Sequence, residues 1–220
     1  MSYISSSDVF KISDFSKINT NNNTYHVVEN IDCIESADIL SKDGKSCILN
    51  MASYKRPGGG VRRGAMAQEE ELCRRSNLIF GISESHYPLE IDDYLYTENV
   101  TFFKNKYYRL IDPFKCDVIT IPALNLNSNK ISDVDFLHIT RQKIKSILIT
   151  PHKFGCRNLI LSAFGCGVYK NDPDIISKIF KEEISLISGL YDNITFAILN
   201  DRNSNGNNFE IFKINLCQIT

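Results

Sequence analysis

Apolar residues fall in short blocks separated by polar and glycine-rich punctuation. Ser46–Met51, 117–122, 159–164 and 195–199 are nearly continuous apolar runs of strand length, the pattern of strands covered on both faces. Tyr25–Val28 and 100–104 read as two shorter strands, and Glu210–Leu216 as a last one. Over 132–152 the spacing changes, and Val134, Leu137, Ile144, Ile147 and Leu148 recur at helical intervals. Asp32 can cap a helix over 33–41, and Asp172-Pro173 opens another to about Ile187, with proline in its first turn. A further helix fits Met66 to about Ile82. Strands alternating with helices predict one α/β domain with helices on both faces of a sheet. Residues 1–24 are rich in Ser and Asn and carry a weak apolar pattern (Val9, Phe10, Ile12, Phe15, Ile18). They are expected to form an N-terminal extension, helical and packed on the body, with Asn19–Asn23 as a linker to a domain over 25–220.

Composition narrows the function. The chain has 220 residues and a formal net charge of -1, which argues against a general nucleic-acid coat but leaves room for a local basic cluster. Seven cysteines are scattered without a CxxC pair, and the four histidines show no metal spacing, so reduced thiols are expected and neither a metal nor a cofactor. The N-terminus lacks a basic, then apolar, leader pattern, and no apolar run approaches the roughly 18 residues of a membrane span. A soluble intracellular protein without a membrane partner is the expectation.

Two glycine-rich loops follow buried strands and precede helices: Pro57-Gly58-Gly59-Gly60 and Phe164-Gly165-Cys166-Gly167-Val168-Tyr169. In α/β folds ligands sit beyond the carboxyl ends of such strands. Glycine lets backbone N–H groups approach an anion, and a helix N-terminus adds partial positive charge. The two loops together are suited to a pyrophosphate, although tight turns alone also use glycine. The phosphate motif GxxxxGK[ST] is missing, and the dinucleotide pattern GxGxxG fails at Arg63.

Gln68-Glu69-Glu70-Glu71 follows the first loop. Side chains about 100° apart on a helix cannot all enter one cleft, so at most two carboxylates face it. Acidic residues also suit a helix start, and Glu70–Arg74 and Glu71–Arg75 have ion-pair spacing. Glu71 is read as such a pair; for Glu69 and Glu70 the place after a phosphate-type loop favours function. Lys55, Arg56, Arg62, Arg63, Arg74 and Arg75 form either a solvated rim or a field that steers an anionic polymer. Cys166 has no base beside it in sequence, so a cysteine nucleophile is the weaker reading.

Gly58-Gly59-Gly60, then seven residues, then Gln68-Glu69-Glu70, resembles the GGG-x(6–8)-QEE signature of the poly(ADP-ribose) glycohydrolases. Leu49–Ser53, Gly64–Ser76, Pro122-Ala123 and the second loop with Asn171-Asp172-Pro173 resemble the compact bacterial branch, over roughly 25–216. The resemblance implies a macrodomain, a three-layer α/β/α sandwich with a mixed central sheet. It implies hydrolysis of the ribose–ribose bonds of poly(ADP-ribose), with Glu70 as general acid and base and Glu69 holding the ribose hydroxyls. Substrate contacts are expected from Asn50, Gly58, Gly59, Gly60, Gln68, Gly165, Cys166, Gly167, Val168 and Tyr169. Tyr169 stands where the bacterial enzymes usually carry Phe, and Ser53 where many macrodomains carry Asn. The expected partners are poly(ADP-ribose), ADP-ribose and ADP-ribosylated proteins or nucleic acid, met by a monomer. Two alternatives stay open: a hydrolase of single ADP-ribose units, and an ADP-ribose-binding module without catalysis.

Overall fold

The structure, a computed structural model, describes residues 7–12, 24–127, 131–187, 189–200 and 207–216. Seven strands form one sheet: β1 (Asp8–Lys11), β2 (Tyr25–Glu29), β3 (Ser46–Met51), β4 (Asp93–Lys104), β5 (Leu110–Ile121), β6 (Asn158–Leu161) and β7 (Asn193–Ala197). Their spatial order is β1-β4-β5-β3-β6-β7-β2. From β5 to β2 every neighbouring pair is parallel, whereas β4 runs antiparallel to both β1 and β5. The helices are α1 (Cys33–Leu40), α2 (Gln68–Arg75), α3 (Asp133–Lys153), α4 (Pro173–Ser185) and α5 (Asn208–Leu216).

Period-two alternation divides the core between the two sheet faces. Leu49, Ile119, Leu159 and Leu161 belong to one layer, with residues of α3, α4 and α5. Ile48, Val118 and Ile160 belong to the other, with residues of α1 and α2. The result is the expected three-layer α/β/α sandwich with a mixed sheet. β3, at the centre, is buried along almost its whole length, which is why its apolar run is unbroken.

β4 and β5 each start seven residues earlier than the sequence predicts, and three further elements differ in kind or in where they end. Residues 8–11, expected within a helical extension, form edge strand β1 instead, paired with β4 through Asp8↔Tyr96 and Lys11↔Asp93. Four half-exposed residues carry too little periodicity to distinguish helix from strand. What seats them is Phe10, stacked on Tyr94 at 5.5 Å. Phe15, Ile18 and the Asn19–Asn23 linker lie outside the described residues. Glu210–Leu216 is helical, not a strand: Asn208, Phe212 and Leu216 are buried at intervals of four, while Ile214, which completes an alternating pattern with Phe212 and Leu216, is exposed. The helix expected to reach Ile82 ends at Arg75. Ser76 then bridges to Phe102, and Asn77 exchanges bonds with Thr101, its N–H donating to the carbonyl and its side chain accepting from the amide. Pairing with β4 replaces further helical turns.

Asp32 ties this face together. One of its oxygens caps α1 by accepting from the N–H groups of Ile34 and Glu35, at 3.0 and 3.1 Å. Both oxygens accept from the Arg75 guanidinium, at 2.8 and 2.9 Å, and Arg75 is almost fully buried. Removing one partner of a buried pair leaves the other charge stranded. Asp32→Ala is therefore expected to lower stability by about 3–5 kcal/mol in urea unfolding. An unchanged midpoint would mean that water and the Lys104 carbonyl satisfy Arg75 unaided.

Candidate active site

The five parallel strands end on one edge of the sandwich, and the segments that follow them line a single cleft of about 490 Å³. The lining is Ile31–Cys33 after β2, Met51–Ser53 at the end of β3, Ala123 after β5, Ser162 and Ala163 after β6, and Ala197–Leu199 at the end of β7. The first glycine loop, the start of α2 and the second loop complete the wall. Arg56 and Arg63 stand on the cleft, whereas Arg74 and Arg75 are held by protein partners.

Residues 68–70 of α2 face the ends of the loop and strand before it. Gln68 accepts from the Met51 N–H at 2.8 Å and donates to the Leu49 carbonyl at 2.6 Å. Pairing of β3 with β6 stops at Ile48, so the Gln68 amide takes the place of the missing strand. Glu69 Oε2 accepts from the Ser53 N–H at 2.7 Å. Glu70 Oε1 accepts from the Gly60 N–H at 2.7 Å, and its Oε2 accepts from Ala67 N–H, in the manner of a capping box, at 3.0 Å. Gly59 has φ +56°, and a Cβ there would lie 2.5 Å from Glu70 Oε1 and 2.7 Å from Glu69 Oε2. Glycine is needed here to make room for the two carboxyl groups as well as for a ligand.

Glu69 and Glu70 are 4% and 6% exposed, which makes their charge state decisive. Burial pushes Glu69 up to about 8; the Ser53 N–H opposes this, the neighbouring Glu70 adds to it, and the Gly58 N–H and Asn50 amide lower it. Glu69 Oε1 and Asn50 Oδ1 are both buried without a hydrogen-bond partner.

The second loop turns at Gly165, φ +75°, where a Cβ would meet the Ala123 side chain at 2.7 Å. Asn171 holds the loop by donating to the carbonyls of Leu124, Gly165 and Tyr169. In the first loop, the Gly59, Gly60 and Val61 N–H groups are taken by Arg56 O, Glu70 and Gly58 O. In the second, the Gly167, Val168 and Tyr169 N–H groups have no acceptor among the described residues, so this loop has donors free for an anion. The Tyr169 hydroxyl meets the Tyr54 backbone and the Ser53 hydroxyl, and joins the two loops.

Of the expected site residues, Gly59, Gly60, Gln68, Glu69, Glu70, Gly165, Gly167, Val168 and Tyr169 line the cleft. Three stand behind it. Asn50 is fully buried between Thr120 and Glu69, Gly58 packs over Cys73 and Ile79, and the Cys166 thiol points into the core. Glu71 reaches the rim, where it pairs with Arg74 rather than Arg75 and accepts from Tyr108. The walls at the ends of β2 and β7 carry no local sequence signal, because β2 reaches the site only through the strand order of the folded sheet.

Residues 3–105 match the sequence profile of the microbial-type PARG catalytic domain. The fold matches that of the Deinococcus radiodurans poly(ADP-ribose) glycohydrolase solved with ADP-ribose: TM-score 0.80 and 28% identity, over 91% of this chain and 87% of that one. In sequence over residues 3–105, and in fold, the chain is similar to the bacterial-type PARGs. The Thermomonospora curvata enzyme, solved with the inhibitor ADP-HPD, matches with TM-score 0.77 and 26% identity over 86% of this chain and 78% of that one. No curated protein gives a match. Among the described residues, no helix is long and apolar enough to cross a membrane.

The raised Glu69 pKa has a consequence for stability. The folded state holds this proton from the ordinary value of 4.5 up to about 8. Its contribution is full below pH 4.5 and is lost as pH rises towards 8, on the order of 5 kcal/mol in all. Glu69→Gln cannot ionise, so its stability relative to the native chain should climb between pH 5 and 8 in urea unfolding. A gap that stays constant with pH would show that Glu69 ionises normally.

Proposed function

We propose that this chain hydrolyses the ribose–ribose O-glycosidic bonds of poly(ADP-ribose) and releases ADP-ribose. The observation that carries the reading is the buried Glu69–Glu70 pair, held between two glycine loops in a fold shared with an ADP-ribose-bound PARG. Residues 25–220 form the catalytic unit, which residues 8–11 extend by an edge strand. It works as an intracellular monomer on poly(ADP-ribose) carried by modified proteins.

The free N–H groups of the second loop and the charges of Arg56 and Arg63 suit a pyrophosphate lying across the cleft. The distal ribose then faces the carboxyl pair. Glu70 protonates the departing ribose oxygen as the C1–O bond breaks, leaving an oxocarbenium-like centre. As a carboxylate it next takes a proton from the attacking water, and the new C1–O bond regenerates the acid. Glu69, uncharged at neutral pH, holds ribose hydroxyls without placing a second full charge beside Glu70. Asn50 and Gln68 act indirectly, the first through Glu69 and the second by fixing the end of β3. A cysteine nucleophile has no support, since the Cys166 thiol is buried away from the cleft.

Incubation with automodified poly(ADP-ribose) should release free ADP-ribose. Glu70→Gln should reduce the rate by at least about 10²–10⁴-fold. Glutamine can accept only one of the two N–H groups that Glu70 serves, so circular dichroism and ADP-ribose binding should accompany the assay. Full activity of the variant would remove Glu70 from the chemistry, and no release by the native protein would leave a binding module as the better reading. Release from mono-modified protein but not from polymer would favour the single-unit hydrolase.

Tyr169→Ala should weaken ADP-ribose binding about tenfold, a loss of roughly 1.4 kcal/mol. Tyr169→Phe should fall between that variant and the native protein, because it keeps the ring but not the tie to the first loop. Calorimetric titration with ADP-ribose reads both.

A further inference from the structure

The β4–β5 hairpin is longer than its sequence suggests, and it ends beside the cleft. Asn105 N–H donates to the Arg109 carbonyl, and Tyr108 closes the turn with φ +58°. The Asn105 side chain accepts from the Tyr107 and Arg109 N–H groups, at 2.9 and 3.2 Å, which makes the tip a defined structure. Three ties hold it to the active-site face. Tyr108 donates to Glu71 at the cleft rim at 2.7 Å, Lys106 pairs with Glu35 of α1 at 3.2 Å, and Arg75 donates to the Lys104 carbonyl at 3.3 Å.

The surface on this tip serves no packing purpose. Tyr107 is 70% exposed and Leu110 79%. Residues 103–111 carry Lys104, Lys106 and Arg109 and no carboxylate, in a chain whose net charge is -1. Among the described residues neither Lys104 nor Arg109 has an ion-pair partner. Lys106 lies 5.6 Å from the centre of the Tyr107 ring, so cation and aromatic face form one patch.

We infer that the hairpin tip is a second contact surface for poly(ADP-ribose), gripping a unit of the polymer outside the cleft. The inference rests on the proposed hydrolase function and extends its substrate site. The polymer repeats a pyrophosphate and an adenine in every unit. Unpaired cations complement the first, and an exposed tyrosine face stacks on the second. A free ADP-ribose fills the cleft without reaching the tip, so the hairpin discriminates polymer from monomer. It acts on encounter and retention, and the chemistry remains with the cleft.

The test is the combined variant Lys104→Gln, Tyr107→Ser, Arg109→Gln, which leaves Tyr108, Glu71 and Arg75 in place. On long poly(ADP-ribose) at low salt, kcat/KM should fall about five- to tenfold with kcat unchanged, and the difference should close near 0.5 M salt as the charges are screened. Inhibition by ADP-ribose, which reads the cleft alone, should stay within about twofold of the native value. An unchanged kcat/KM would overturn the inference. So would a parallel loss of ADP-ribose inhibition, which would mean that the hairpin only supports the cleft through Arg75. Unchanged polymer turnover, with single-stranded RNA retarded on a gel only by the native hairpin, would reassign the surface to nucleic acid. If the native protein releases no ADP-ribose, the hydrolase reading itself fails; the intact polymer can then be run on the same gel, where retardation by the native but not the variant hairpin supports the contact and equal retardation overturns it.

Discussion

Two carboxyl groups are buried side by side against a glycine, and much of the active-site architecture follows from that constraint. A buried carboxyl is tolerated only if it is hydrogen-bonded or keeps its proton. Both solutions are used here. Glu70 accepts from Gly60 and Ala67, and Glu69 accepts from Ser53 while burial raises its pKa. The donors belong to the loop, the helix start and the end of β3, so satisfying the carboxyls also sets the loop. The side chains proposed for chemistry and the backbone proposed to hold substrate are parts of one hydrogen-bonded unit.

This unit is anchored through Gln68. Its amide completes the edge of β3 where pairing with β6 has stopped, so the first turn of α2 is keyed to the central strand. The second loop depends in the same way on Asn171, whose amide gathers three carbonyls and leaves the Gly167–Tyr169 N–H groups free. Tyr169 then closes the gap between the loops. Two amides and one phenol position a cleft that its lining residues alone would not hold open.

The Asp32–Arg75 pair extends the same economy to the rim. Asp32 caps α1 and lines the cleft, and Arg75 passes the connection to the β4–β5 hairpin at Lys104. A change at the hairpin root thus reaches the cleft by two bonds, and this is why the Lys104, Tyr107 and Arg109 side chains, which carry neither bond, are better probes of polymer contact than the groups that tether the hairpin.

Local chemistry made much of this legible in the sequence. The unbroken apolar runs identified β3, β5 and β6, because central strands are covered on both faces, and Asp32 and Asp172 marked helix starts because their side chains cap them. Glycine spacing and the Gln68-Glu69-Glu70 triplet marked the site, since a close backbone approach and a carboxyl pair require those residue types. Short or two-sided patterns failed: β1 has too few residues to show a period, and α5 alternates like a strand over Phe212, Ile214 and Leu216. What only the tertiary structure decided was proximity. Strand order brought Ile31–Cys33 and Ala197–Leu199 to the cleft, turned the Asn50, Gly58 and Cys166 positions behind it, and paired Arg75 with Asp32 rather than Glu71. Burial, and with it the raised Glu69 pKa, depends on the end of β3, the first glycine loop and α2 packing together, and no local pattern in a chain records that.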